Sequence, residues 1–276
     1  MKNEAKAEIV KRIQRMSGSQ SPYNIFSDWI ECFALSIANT SMPIHNSVWQ
    51  EREKRYKQIM NKYSKEERIH FAEMCGLLTL AYEDGDGFRF GDILGEIYME
   101  SGSGNKNTGQ FFTPYNVSFL TATMSIPADY DGKKPIKVNE PSCGAGGMIV
   151  ATAEVLYRKG INFQKCIQAE AQDLDWRAVY MCYVQLSLLG INAVVVQGDT
   201  LADPYTGDSY PQNRVFRTPN NMGMLLYRSG NTENAAAVQH IPAPDPETKP
   251  EKKRSKPSKR PDKTAETAEP LQLSLF

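Results

Sequence analysis

The chain has 276 residues, 41 % of them hydrophobic, enough to bury one sizeable core. Lys+Arg and Asp+Glu count 32 each, so the net charge is zero and global charge neither implies nor excludes a nucleic-acid partner. No apolar run reaches the roughly 20 residues that span a bilayer, and the charged start MKNEAKAEIVKRIQRM lacks a signal-peptide core. Cys32, Cys75, Cys143, Cys166 and Cys182 form no CxxC pair, which argues against a metal site and for a reducing cytoplasm.

Residues 1–100 predict an N-terminal helical domain. Phe26–Asn39 has apolar residues at helical spacing, with Ser27 and Asp28 as capping candidates. Gln50–Tyr63 is charged and amphipathic, Lys65–Tyr82 carries Phe71, Met74, Leu77, Leu78 and Ala81 on one face, and Phe90–Tyr98 is a short fourth helix. Ser101–Gly109 is a Gly/Ser/Asn loop.

Residues 101–230 predict a second domain in which helices and strands alternate. Asn116–Met124, Met148–Arg158 and Asp175–Leu189 read as helices. Ile136–Glu140, Cys166–Gln172 and the β-branched Ala193–Gln197 read as strands. Strands separated by helices of this length imply an α/β fold with a parallel sheet and right-handed crossovers. Val215–Arg217 and Met224–Tyr227 supply one or two further short strands. Residues 231–276 hold seven of the sixteen prolines and almost no large apolar residue before the last six positions, which predicts a disordered tail.

The strongest local signal is Glu140-Pro-Ser-Cys-Gly-Ala-Gly-Gly147, between a strand and a helix. Glycines there let the backbone turn tightly and approach a ligand. The spacing is GxGG rather than the dinucleotide GxGxxG, and the preceding acid repels pyrophosphate but suits a cationic, amino-bearing ligand such as S-adenosylmethionine. Asp173 ends the second strand, where a carboxylate can accept ribose hydroxyls, and Asp199 follows the third strand, where it can accept from an adenine amine. Singly, each acid reads as a turn or cap residue; with the glycine loop at this spacing they read as a ligand set.

The motifs DILGEIY (Asp92–Tyr98), TGQFFTP (Thr108–Pro114), EPSCGAGG, AQDLD (Ala171–Asp175) and GDTL (Gly198–Leu201) stand in one order along the chain. In this the sequence resembles the modification subunits of type I restriction systems and related N6-adenine DNA methyltransferases, over roughly residues 26–230. The resemblance implies a Rossmann-like methyltransferase sheet that binds S-adenosyl-L-methionine and acts on DNA. It implies that Gln110, Phe111, Thr113 and Pro114 lie beside the cofactor, that Glu140, Gly144 and Gly146 cradle its methionine, that Asp173 holds its ribose, and that Asp199 faces its adenine.

The family's catalytic signature is Asn or Asp, two prolines and an aromatic residue, which accept the target amine and stack on the flipped base. This chain has no such tetrapeptide. Asp203-Pro204-Tyr205 has an acid, one proline and an aromatic but follows Asp199 closely, and Arg217-Thr218-Pro219-Asn220 begins with a cation that has no acceptor lone pair. The catalytic half of the sheet is therefore expected to be partial, with target recognition left to a partner subunit.

In the tail, Lys249–Lys263 holds eight Lys/Arg against two acids, reading either as a phosphate-neutralising run or as a solvated linker. The ending Gln272-Leu273-Ser274-Leu275-Phe276 resembles the pentapeptide that docks bacterial replication and repair proteins on the sliding clamp. Three functions follow: an S-adenosylmethionine-dependent adenine methyltransferase, a non-catalytic cofactor- or DNA-binding factor brought to the clamp, and an NAD-dependent oxidoreductase, the last disfavoured by the absent GxGxxG.

Overall fold

The computed structural model describes residues 2–18, 20–42, 46–84, 87–101, 112–223 and 271–274. The charged start forms a helix, α1 (Lys2–Met16), whose Ile9, Ile13 and Met16 face the core. α2 (Pro22–Thr40) begins four residues earlier than the periodicity predicts. Its cap is Ser21, which accepts from the Asn24 amide, with Pro22 at the first helical position. Neither Ser27 nor Asp28 caps it: Ser27 donates back to the Tyr23 carbonyl, and buried Asp28 accepts from Lys62 and the Tyr63 hydroxyl. α3 (Ser47–Met60) is capped by Asn46, and α4 (Lys65–Ala81) opens on a reciprocal Ser64/Glu67 capping box. A two-residue hairpin, β1 (Glu83–Asp84) with β2 (Gly87–Phe88), leads to α5 (Ile93–Glu100), capped by Asp92.

The second half follows the predicted alternation: α6 (Tyr115–Ser125), β3 (Ile136–Glu140), α7 (Gly147–Arg158), the single turn α8 (Phe163–Cys166), β4 (Ile167–Asp173), α9 (Trp176–Leu188), β5 (Ala193–Gln197) and β6 (Val215–Arg217). The sheet order is β6-β5-β4-β3-β7, with β7 formed by Leu271–Ser274. β3, β4 and β5 are parallel, and β6 closes the β5 side antiparallel. Along β3, Ile136, Val138 and Glu140 are buried while Lys137 and Asn139 face out, the period-2 pattern of a sheet covered on one side.

The buried residues of the helical half and most of those of the sheet make one core, with Val196, Tyr210 and Val215 in a small second cluster. Phe26 meets Tyr98 at 5.3 Å between ring centroids, and Tyr98 meets Phe112 at 5.7 Å. Buried Arg52 of α3 donates to the Val215 carbonyl at 2.8 Å and lies 4.3 Å over the Phe216 ring, tying α3 to β6.

The expectation of a tail without order does not hold for Leu271–Ser274, which pair parallel to β3 in the register Ile136↔Leu271 to Asn139↔Ser274. An open sheet edge presents unpaired backbone groups and accepts such a segment. Met224–Tyr227, Lys249–Lys263, Leu275 and Phe276 lie outside the described residues. Among the described residues no helix is long and apolar enough to cross a membrane, and no cluster of metal-ligating side chains occurs. All five thiols are free.

Candidate functional site

The β3 strand ends at Glu140, and the chain then turns through Pro141–Gly146 into α7. Two glycines make the turn possible. Gly144 has φ +53°, and a Cβ there would sit 3.0 Å from the Phe112 ring. Gly146 has φ +93°, and its Cβ would meet the Cys182 thiol of α9 at 3.0 Å. The turn is fastened to β4 at two points. Cys143 donates its amide to the Gln172 carbonyl at 3.0 Å, and Gly144 donates to the Asp173 carboxylate at 2.9 Å. The other Asp173 oxygen accepts from the Asp175 amide at 2.9 Å, and Asp175 in turn caps α9.

A third fastening comes from α9. Gln185 is fully buried; its Nε2 donates to the Ala145 carbonyl and, at 3.0 Å, to Asp92, and its Oε1 accepts from the Leu94 amide and the Tyr82 hydroxyl. The glycine turn, the start of α5 and α9 thus share one buried polar network.

These elements enclose a cavity of about 500 Å³ at the carboxyl ends of β3 and β4. Glu140 lines it while only 4 % exposed; one carboxylate oxygen accepts from the Ser142 amide, and the other is buried without a hydrogen-bond partner. The buried Ser118 hydroxyl of α6, another lining residue, is likewise unpartnered. Burial pushes the Glu140 carboxyl up to about 7, with Asp173 adding to the rise and the Ser142 amide opposing it. Burial also raises Asp173, against the lowering effect of its amide donors. A cavity with an unsatisfied, desolvated carboxylate favours a cation that also donates hydrogen bonds and disfavours a phosphate. A slightly larger cavity of about 540 Å³ between α2, α3 and α9 has Arg55 of its rim paired with Glu31 and carries no comparable unsatisfied acid.

Of the residues singled out from sequence, the cavity gathers Thr113, Glu140, Gly144 and Asp173 on its wall. Gly146 shapes the turn, and Pro114 opens α6 at the N-cap position. Gln110 and Phe111 lie outside the described residues. Asp199 is exposed, does not line the cavity, and accepts from the Leu201 and Ala202 amides of its own turn. Asp203-Pro204-Tyr205 does not line it either. That segment is held at the end of β4, where buried Gln172 donates to the Asp203 carbonyl at 2.9 Å and accepts from the Tyr205 amide at 3.0 Å. Gln272 and Leu273 lie in β7.

Sequence reasoning missed Asp92, Phe112, Ser118 and Met148 of the wall. Asp92 and Phe112 stand inside DILGEIY and TGQFFTP, so motif membership was available as a signal; nothing local marks Ser118.

Residues 89–239 match the family model described as N-6 DNA Methylase. Among solved structures the chain is similar to the type I restriction-modification system methyltransferase subunit from Streptococcus thermophilus, with 16 % identity and a TM-score of 0.41 over 74 % of this chain and 41 % of that one. It is also similar to a putative class I S-adenosylmethionine-dependent methyltransferase from Listeria monocytogenes, with 15 % identity and a TM-score of 0.38 over 73 % of this chain and 55 % of that one. The chain therefore spans less than two thirds of either. No curated protein matches it.

Proposed function

Because the chain belongs to the N-6 DNA methylase family, whose model covers residues 89–239 of 276, we propose that the cavity binds S-adenosyl-L-methionine as methyl donor toward the N6 amine of adenine in DNA. The observation that carries this is that two polar atoms of the cavity's lining residues, Glu140 Oε2 and Ser118 Oγ, are buried without a partner. Both call for a ligand that donates hydrogen bonds, and a cationic amine is the donor a buried carboxylate favours most.

Bound there, the cofactor supplies an electrophilic methyl group on a cationic sulfur. The chain's part is binding and exclusion of water. Glu140 holds the amine, and Asp173, whose two oxygens each keep acceptor capacity beyond one amide, holds the ribose hydroxyls. Thr113 and Pro114 lie over the methionine end, and the TGQFFTP motif assigns Gln110 and Phe111, outside the described residues, to the same role. Asp199 turns toward the adenine with the part of its carboxylate not spent on its own turn. In this reading residues 1–100 are a supporting helical domain and 101–230 the cofactor domain.

The acceptor side favours a second reading, in which the chain binds cofactor and DNA without transferring methyl groups by itself. Asp203-Pro204-Tyr205 does not line the cavity and is tied through its backbone to Gln172 of β4. A partner subunit then supplies target recognition. Calorimetry with S-adenosylmethionine tests the binding, and a tritiated-methyl assay on mixed DNA separates the two readings. No binding at millimolar cofactor sinks both.

The reading of Gln272–Phe276 as a sliding-clamp ligand also belongs here. Gln272 and Leu273 are part of β7, so docking requires that strand to leave the sheet. A labelled peptide of residues 267–276 titrated with purified clamp tests it: the expected affinity is micromolar, about −8 kcal/mol, lost at least tenfold with Leu275→Ala and Phe276→Ala together.

A further inference from the structure

We propose that the second cavity, between α2, α3 and α9, is a nucleotide site: a planar base stacks on its aromatic wall, and the phosphate of the same nucleotide is held by Arg52 and Lys54. The nucleotide is either free or part of an unpaired strand. The inference does not depend on how the cavity beside Glu140 is read.

The volume, about 540 Å³, lies within the roughly 300–1,000 Å³ of small-ligand sites. Trp176 and Tyr180, one turn apart on α9, stack with ring centroids 5.4 Å apart and planes 28° from parallel. Phe216 of β6 meets both edge-on, at 6.3 Å and 5.6 Å. Tyr180 and Phe216 are buried, while Trp176 is 37 % exposed. An indole braced by two rings and still open to solvent is a stacking platform, and every base offers it a π-face.

Charge supplies the other half of the recognition. Arg52 is only 6 % exposed, and among the described residues no carboxylate pairs with it. Its guanidinium donates to the Val215 carbonyl and the Met42 sulfur, lies over the Phe216 ring, and leaves Nε without a partner. Burial depresses its pKa, the mark of a cation short of counter-charge. Arg55 is already committed to Glu31 through two bonds, at 2.6 Å and 2.8 Å. That leaves Arg52 and exposed Lys54, which forms no ion pair among the described residues, against Glu51 alone. A guanidinium fork with an ammonium nearby suits a phosphate. The site also adjoins the first cavity along the chain. Asp173 lines that cavity and Trp176 lines this one, three residues on, at most roughly 11 Å of extended backbone. Asp175 between them donates its amide to Asp173 and accepts from Arg177.

The test titrates the full chain with thymidine, thymidine 5′-monophosphate and a single-stranded thymidine hexanucleotide, read by tryptophan fluorescence. A base stacked on Trp176 quenches its indole, whereas a strand bound elsewhere does not. The expected result is saturable quenching by the monophosphate, lost in Trp176→Phe, and about tenfold weaker binding of thymidine, which lacks the charged group. Lys54→Glu keeps the reporter and leaves the Arg52 tie between α3 and β6 intact, so a merely structural role of that tie would not move its reading. It is expected to weaken the monophosphate about fivefold. Lys133→Glu changes the net charge equally at an exposed position that does not line the cavity, and should stay within about twofold of wild type. A hexanucleotide that binds about tenfold more tightly than the monophosphate assigns the site to an unpaired strand, and equal affinities assign it to a free nucleotide. Four results overturn the proposal: no saturable quenching at millimolar ligand, equal affinity for thymidine and its monophosphate, quenching retained in Trp176→Phe, or equal losses in Lys54→Glu and Lys133→Glu.

Discussion

Asp173 accepts the Gly144 amide at 2.9 Å, so one carboxylate both lines the cavity and fixes the glycine turn that forms its rim. Any ligand contact it makes is therefore coupled to the shape of the opposite loop. Asp173→Ala removes the ligand contact and frees two amides, those of Gly144 and Asp175. We expect it to weaken S-adenosylmethionine binding by about 2–4 kcal/mol, the range for a charge-assisted hydrogen bond plus loosening of the turn. Asp173→Asn keeps an acceptor for one amide and should fall between the two. Calorimetric titration of the three proteins checks the order; indistinguishable affinities would remove Asp173 from the site.

The Glu140 carboxyl gives the cavity a pH signature. Burial raises it from 4.5 to about 7. Below pH 4.5 both folded and unfolded chains hold this proton. Between 4.5 and 7 the folded state keeps a proton that the unfolded state releases, so this group's contribution to stability is lost as pH rises through the window. The loss is complete above about 7 and amounts to about 2–4 kcal/mol. Asp173, also raised by burial, acts in the same direction. Binding of a cationic amine runs the other way, because it favours the ionised carboxylate. We expect cofactor affinity to rise from pH 6 to pH 8 and Glu140→Gln to flatten that rise while stabilising the empty protein at pH 8. Thermal melts and titrations at the two pH values measure both; a Glu140→Gln protein with the wild-type affinity profile would contradict the assignment.

Two glycines make opposite predictions. Gly146 sits at φ +93° with the Cys182 thiol 3.0 Å from where a Cβ would go. Gly146→Ala combines left-handed backbone strain with a close contact and should cost about 1–3 kcal/mol, along with cofactor affinity. Gly76 lies inside α4 with nothing within 4 Å of its Cβ position and an ordinary φ. Gly76→Ala should stabilise the chain by about 0.5–1 kcal/mol through helix propensity, leaving the cavity untouched. Paired melting curves decide, and a destabilised Gly76→Ala would show that α4 is not the regular helix described.

The parts of this fold that sequence predicted are those with a local cause. Ile136–Glu140 and Ala193–Gln197 came out to the residue because alternation and β-branching are written in the strand itself. The α2 start was misplaced because Ser27 and Asp28 are also good cap residues, and only tertiary contact with Lys62 and Tyr63 reserves Asp28 for the core. The β1–β2 hairpin is too short to show any period. β7 depends on an edge created by the rest of the sheet, which no local pattern reports. The same divide runs through the site. Glu140, Gly144 and Asp173 stand next to strand ends and were visible, whereas Ser118 reaches the cavity only through the packing of α6 on α7.

The segment after β5 offers a last test. Gln172 is buried at the end of β4 and grips Asp203-Pro204-Tyr205 through two backbone bonds, at 2.9 Å and 3.0 Å. Tyr205 packs edge-on to Tyr210 at 5.6 Å between ring centroids, and Tyr210 donates to the Gln197 carbonyl at 3.1 Å. This is a structural clasp that closes the loop over β5, with the exposed Asp203 side chain beside the Tyr210 hydroxyl. If the clasp is all it is, Asp203→Ala should leave cofactor affinity and any residual methyl transfer within twofold of wild type. Gln172→Ala, by contrast, strands the Asp203 carbonyl and the Tyr205 amide and should cost about 1–3 kcal/mol of stability. The purified chain itself should transfer methyl groups to DNA very slowly or not at all, since no amine acceptor followed by a stacking ring stands beside Glu140 among the described residues. Tritiated-methyl transfer on mixed DNA measures all three proteins. Robust transfer by wild type that disappears in Asp203→Ala would turn the clasp into the acceptor site.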